Sequence, residues 1–293
     1  MSLVTIPEPY RRAMTRAGTI VSLGSGEYAD GDQNNYIGKS VKVRGAGHLG
    51  PNRTLLVNGG YKQSANGCTW QAANGVLFED IALECRTDWG QQNCVFGFQS
   101  DYGLQHPVEE GSVATINRGA ILGRTYGFYS WAEGHPTLRA FKSFISAGTI
   151  AVMGGQSSGP DAQLIELYDT DVVVDYDKYP SAGVGTDTVA GLCVRGGVMR
   201  MYGGSITVRG SSRMVGAVGA WASWFSADAP WPWDWPVLEL VGVTFDVQAN
   251  GSAGAWDILQ DVGVVYCDRC KRADGKPLRI KGDRVYVNGV LHV

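Results

Sequence analysis

Three stretches of this 293-residue chain place apolar side chains at one and the same internal spacing. In the first the positions are Leu164, Leu167, Val172 and Val174; in the second Val198, Met201, Ile206 and Val208; in the third Val237, Leu240, Phe245 and Val247. Small or polar residues fill the middle of each, as in Tyr168-Asp-Thr-Asp171 and Tyr202-Gly-Gly-Ser205. Looser copies occur at Phe78/Leu83, Ile116/Ile121 and Ala140/Ile145. Such a unit is a strand, a tight turn and a second strand, and it cannot bury its apolar face alone; stacked units share one core. The copies recur at irregular intervals of roughly 24 to 39 residues, as expected when loops of variable length leave a constant stack. The pattern predicts an all-β solenoid, a parallel β-helix; the competing arrangement is a β-sandwich whose strands resemble one another by chance.

Composition agrees. The 41 glycines are roughly twice the usual share, with no three-residue period that would suit collagen. Nine Trp, 13 Tyr and a net charge of -3 exclude a disordered chain. Glycines 45, 47, 203, 204 and 242 are expected at sharp corners between stacked strands. The weak negative charge and a pI near 5.8 offer no field for a phosphate backbone, so no nucleic-acid partner is expected. No run reaches the roughly 18 apolar residues of a membrane helix, so no membrane partner is expected. The first residues lack a basic segment followed by an apolar core, so no signal peptide is expected in the numbered chain, unless a leader was removed.

Residues 5–17 read as a short helix, with Thr5 as N-cap, Glu8 completing a capping box, Tyr10, Ala13, Met14 and Ala17 on one face, and Gly18 as the stop. At the other end, 277–280, 284–287 and 290–293 read as three short strands joined by Lys281-Gly-Asp283 and Asn288-Gly289, an antiparallel cap over the last coil. The expected organisation is therefore 1–17 as arm and capping helix, 18–265 as β-helix and 266–293 as β cap.

Gly18-Thr-Ile-Val-Ser-Leu-Gly-Ser-Gly-Glu-Tyr28, then Lys39-Ser-Val-Lys-Val-Arg-Gly-Ala-Gly47, then Thr54-Leu-Leu56 resembles the opening coils of pectin-lyase-like right-handed β-helices. The likeness is to architecture, carried by the weaker repeats to about residue 250. It implies a single-stranded right-handed parallel β-helix with an N-terminal capping helix, and it points to no one activity.

Most motif strings fail on context. Gly45-Ala-Gly47-His-Leu-Gly50 matches a dinucleotide fingerprint, but no helix begins after it to receive a pyrophosphate, so no cofactor is expected. Gly155-Gln-Ser157-Ser-Gly159 matches a nucleophile elbow, but Pro160 prevents the helix that must follow. Cys267-Asp-Arg-Cys270 is half of a zinc site with no second half in sequence, so a reduced pair or a local disulfide is the better reading. Cys85 and Cys94 flank a polar loop and are open to either a bridge or free thiols.

Two features could carry chemistry. Asp169, Asp171, Asp175 and Asp177 form the densest acidic run, and in strand conformation Asp169 shares a face with Asp171. Carboxylates about 5 to 9 Å apart suit glycoside hydrolysis; oxygen ligands also suit calcium. The resemblance adds that β-helix polysaccharide hydrolases carry aspartates on a central coil. It also shows what is missing: Arg279-Ile-Lys281 matches one of their strings but lies in the cap, and no G-H-G precedes it. Solvated turn aspartates are the plain alternative. The second feature is aromatic. Trp221, Trp224, Trp231, Trp233 and Trp235 crowd together with Asp228 and Asp234, and Ala229-Pro-Trp-Pro-Trp-Asp-Trp-Pro236 must be a stiff extended loop. Flat rings with nearby carboxylates suit sugars; a subunit interface or packing within the chain would also use them.

These readings favour a structural or adhesive virion protein, such as a phage capsid decoration or tail component, that assembles with itself, a trimer being the expected state, and meets polysaccharide or other virion proteins. The alternative is an exported polysaccharide lyase or glycoside hydrolase acting on acidic polysaccharide through Asp169 and Asp171.

Overall fold

The computed structural model describes residues 3–5, 8–29, 35–58, 66–86, 92–99, 108–132, 134–155, 163–177, 188–223 and 236–292. Their strands form three long sheets, and the chain visits them in rotation. Sheet 1 runs from Ile20–Ser22 through Thr137–Phe141, Leu164–Tyr168, Val198–Tyr202 and Val237–Val241 to Val264–Asp268 and Val285–Val287. Sheet 2 runs from Leu3–Thr5 and Gly26–Ala29 through Asp171–Asp175, Ser205–Arg209 and Thr244–Gln248 to Lys271–Arg272. Sheet 3 runs from Asn35–Ile37 through Tyr126–Trp131, Ile150–Gly154, Thr188–Val194 and Gly216–Ala222 to Gly254–Gln260 and Ile280–Lys281. Neighbours along each sheet are parallel and come from successive coils, which is a parallel β-helix.

The three sequence repeats stack in register: Val198 lies between Leu164 and Val237, Met201 between Leu167 and Leu240, and Ile206 between Val172 and Phe245. The looser copies join the same columns, with Ile116 beside Phe78 and Ala140, and Ile121 beside Leu83 and Ile145. Strand alternation separates the faces. Leu167, Met201 and Leu240 are fully buried, whereas Leu164, Val198 and Val237 face outward and are half-exposed. The inward partners of that first position are Ile165, Met199 and Leu238. Each such side chain contributes about 1.5–3 kcal/mol of burial, and columns of like shape let the burial repeat from coil to coil.

The corner from sheet 1 to sheet 2 is a ladder of its own. Asp80, Arg118, Lys142, Asp169, Gly203, Gly242 and Arg269 occupy it, all at positive φ between 46° and 69°. The N–H of Lys142 donates to the Tyr168 carbonyl at 2.8 Å, that of Asp169 to Tyr202 at 2.9 Å, and that of Gly203 to Val241 at 2.8 Å. The left-handed turn swings the chain to the next sheet while keeping this N–H in the ladder. The next residue points inward, as Ile81, Thr170 and Val243 do. Glycine was the expected occupant, and at Gly203, Gly204 and Gly242 it is; Gly204 has φ 78°, and a Cβ there would lie 2.1 Å from the Thr170 carbonyl oxygen. The remaining corners hold mostly charged residues, each at a cost of order 1 kcal/mol for the left-handed conformation. Lys142→Gly is therefore expected to raise stability by about 1 kcal/mol in urea unfolding; an unchanged or lower midpoint would refute the strain.

Sheet 3 contains a second irregularity. Ala151 and Val152 both lie in the interior core, so two consecutive residues face inward and the inward–outward alternation of the strand is interrupted. The same column holds Gly127, Gly191 and Gly219, which the register skips. A Cβ at Gly127 would come 2.7 Å from the Ala151 carbonyl oxygen, and one at Gly191 would come 2.7 Å from that of Gly219. Close backbone approach, more than positive φ, explains these glycines.

Both ends are closed. The helix spans Glu8–Thr15, shorter than the sequence suggests. Thr5 lies in strand Leu3–Thr5, paired with Ala29, so it is no N-cap; backbone pairing with the first coil takes its place. The helix buries Met14, and its Met14 carbonyl accepts the Gly38 N–H at 2.9 Å. At the C-terminus the coil continues further than the expected cap: Ile280–Lys281 and Val285–Val287 pair in parallel with the strands before them. Only Val290–Leu291 turns back antiparallel, around the Asn288-Gly289 turn, to close sheet 1.

Candidate functional site

The outward face of sheet 3 is unlike a solvated surface. Tyr126, Tyr129, Met153, Cys193, Val218 and Leu259 form a buried cluster on it, separate from the interior core. Burial pushes the Tyr126 phenol up to about 12 and raises the Cys193 thiol, so both stay neutral near pH 7. Trp221 and Trp256 pack on this cluster while remaining partly exposed. Trp221 Nε1 donates to Asp261 Oδ2 at 2.7 Å, which orients the indole. Lys281 Nζ lies 5.4 Å from the centroid of the Trp256 ring, within cation–π range. Two flat rings, a carboxylate and an ammonium thus share the C-terminal end of one face. Trp224, Trp231, Trp233, Trp235, Asp228 and Asp234 lie outside the described residues; in sequence they fall between Ser223, directly after the Trp221 strand, and Pro236.

The acidic run is divided by a corner. Asp169 is the left-handed corner residue at φ 46°, and Thr170 points into the core, so Asp169 and Asp171 are not neighbours on one strand face. Asp171 opens the sheet 2 strand, and its Oδ1 accepts the Ser205 hydroxyl at 2.6 Å. Asp177 Oδ1 likewise accepts from Ser211 at 2.8 Å. Both Asp169 and Asp171 are exposed. Among the described residues no group of three or more His, Cys, Asp and Glu is placed to hold a metal ion. Cys85 and Cys94 are both buried and are not bridged to each other, and Cys267 and Cys270 are free thiols. Ser157 of the Gly155–Gly159 string lies outside the described residues.

Two assemblies escape the motif search. On sheet 1, Arg139 Nε donates to Glu166 Oε2 at 2.9 Å and Arg200 Nε to Glu239 Oε2 at 2.8 Å, an alternating charge ladder. Beside it Phe141, Tyr168 and Tyr202 stack with centroids 4.9 and 5.2 Å apart. These residues occupy the outward positions between the aligned apolar ones, so the repeat alignment carried the signal. At an early corner, Arg118 binds both oxygens of Asp80 at 2.8 Å and Glu79 at 3.0 Å, while Arg44 reaches Glu79 at 3.1 Å. The Arg118 hydrogen bond holds the Asp80 carboxyl below its usual range, and burial lowers His48 alongside. The Gly45-Ala-Gly47 segment rests on this corner: the N–H groups of Gly45 and Gly47 donate to the Glu79 and Asp80 carbonyls at 2.9 Å. A Cβ at Gly45 would meet the Asp80 carbonyl at 2.3 Å. Gly45 is therefore a packing requirement of this corner.

The fold and this surface define a three-sheet parallel β-helix with an aromatic outer face. No protein-family model matches the chain, and no curated protein matches its sequence. Among solved structures the chain is similar to the enzymatically active domain of tailspike protein 2 of bacteriophage CBA120, with a TM-score of 0.48 and 9% identity over 92% of this chain and 42% of that one. The chain therefore spans less than half of that structure's length.

Proposed function

We propose that this protein is an adhesive β-helix of a virion, a tail or capsid-surface component that holds polysaccharide against the outer face of sheet 3. The observation that carries this reading is the presence of both Trp221 and Trp256 on that face, with Asp261 and Lys281 as polar partners, Trp221 lying just before the tryptophan-rich segment in sequence. Aromatic faces stack on the apolar faces of sugar rings, and the fixed polar groups select hydroxyl or carboxylate patterns. The buried free thiol at Cys193 suits a chain that folds in a reducing cytoplasm before release. Self-association, as a trimer, belongs to the same reading and is checked by light scattering, where a strict monomer opposes it.

Immobilised bacterial capsular polysaccharides, acidic and neutral, are the test. Binding by at least one of them is expected, weakened roughly tenfold or more by Trp221→Ala, as for an aromatic anchor. No binding, or unchanged binding by a folded Trp221→Ala variant, refutes the platform. Accumulation of new reducing ends or unsaturated uronide would replace adhesion by catalysis, and loss of that turnover in Asp169→Asn or Asp171→Asn would place it at the acidic corner.

A further inference from the structure

Cys267 and Cys270 sit on either side of the last left-handed corner, whose turn residue is Arg269 at φ 52°. Both belong to inward columns. Cys267 stands beside Leu240 and Val287 and is 1% exposed, and Cys270 packs against the interior core from its edge. The equivalent pair five coils earlier shows the direction of the side chains. At Ile116 and Gly119 a Cβ placed on the glycine would lie 2.3 Å from Ile116 Cγ1. Across this corner, therefore, a side chain three residues on is aimed at the side chain of the first. In the last coil both positions are cysteine. Their thiols interact directly: the hydrogen bond from Cys267 lowers Cys270, and Cys267 is raised in return. The Cys270 sulfur also lies 3.5 Å from the carbonyl oxygens of Leu240 and Asp268.

The corner carries the C-terminal hairpin. Arg269 N–H donates to Asn288 Oδ1 at 2.8 Å, and Asn288 N–H donates to the Cys267 carbonyl at 2.9 Å. In earlier coils the corner N–H finds the backbone of the next coil; here the coils end, and the side chain of the hairpin turn replaces it.

We propose that Cys267 and Cys270 are a reversible dithiol–disulfide pair that clasps the final corner and, through it, the C-terminal hairpin. The oxidant is a small-molecule disulfide such as oxidised glutathione. The partly exposed Cys270 thiolate attacks one sulfur of that disulfide and releases one thiol. Cys267 then loses its proton and attacks the Cys270 sulfur of the mixed disulfide. The Cys267–Cys270 bond forms, the second small thiol leaves, and two protein thiols have been oxidised for one disulfide reduced. This inference does not depend on the adhesive reading.

The test equilibrates the whole protein in glutathione buffers of graded ratio, traps free thiols by alkylation after unfolding, and maps the bonds by peptide mass. Oxidising buffers are expected to yield a Cys267–Cys270 link, absent in Cys270→Ser. They are also expected to slow amide exchange at Arg269 and Asn288 severalfold in the parent but not in the variant. Two free thiols at these positions in every buffer would overturn the proposal. So would stable glutathione adducts on Cys270 without the internal bond, or a link that forms while leaving exchange at Arg269 and Asn288 unchanged.

Discussion

Asp257→Ala is expected to destabilise the C-terminal coils by about 3 kcal/mol, the lower end of the cost of stripping one partner from a buried ion pair. Asp257 is 0% exposed. Its carboxylate accepts the Arg279 backbone N–H at 2.8 Å and the Arg279 guanidinium at 3.0 Å, and Arg272 Nε lies 3.5 Å away. Arg279 also donates to the Val247 carbonyl at 2.6 Å, so it ties sheets 2 and 3 together where the solenoid ends. Asp257 occupies the column that elsewhere holds Gly127, Ala151, Gly191 and Gly219. Alanine therefore fits its backbone, and the loss should report the charge and hydrogen bonds alone. Because each coil of a solenoid rests on its neighbours, the loss should show first as faster hydrogen exchange across 254–292, with earlier coils less affected. Exchange unchanged in that segment would mean the two arginines find other partners. The string Arg279-Ile-Lys281, which resembles a catalytic element of polysaccharide hydrolases, acts here through Arg279 as the seal on this buried acid.

Gly219→Val is expected to cost about 3 kcal/mol, the upper part of the range for overpacking a core. A Cβ there would lie 2.6 Å from the Asp257 carbonyl oxygen and 2.6 Å from the Phe245 ring. The ring could rotate; the carbonyl belongs to the backbone of the adjacent coil and cannot move without opening the sheet. Valine adds two methyl groups to that contact. The denaturation midpoint should fall sharply, whereas a swap at Ala151→Gly, in the same column with room for its methyl, should cost only about 1 kcal/mol. Equal effects at the two sites would show that the column relaxes freely.

The repeats made sheets 1 and 2 legible to the level of register. Leu167, Met201 and Leu240 align by sequence spacing, and the same residues are neighbours in space. Sheet 3 was hidden. Its strands are apolar on both faces, as in the wholly buried Ile150–Gly154, and two consecutive inward residues break the two-residue period, so no alternation remains to be read. The aspartate run looked like one strand face because the left-handed corner at Asp169 leaves no signature when an acidic residue, and not glycine, accepts it. The tryptophans were visible as a cluster, but Trp256, Asp261 and Lys281 join Trp221 only through stacking of coils.

What the sequence determined by itself is the repeating unit: two strands about a tight corner, in phase from coil to coil, because strand alternation and corner length are local and each copy repeats them. What only the tertiary structure decided is which side chains meet across coils. Arg118 with Glu79 and Asp80, Arg279 and Arg272 with Asp257, and Lys281 with Trp256 are adjacent because loops of unequal length return the chain to the same column. Separation along the chain therefore carries no record of these pairings; the hydrogen-bond register between coils sets them.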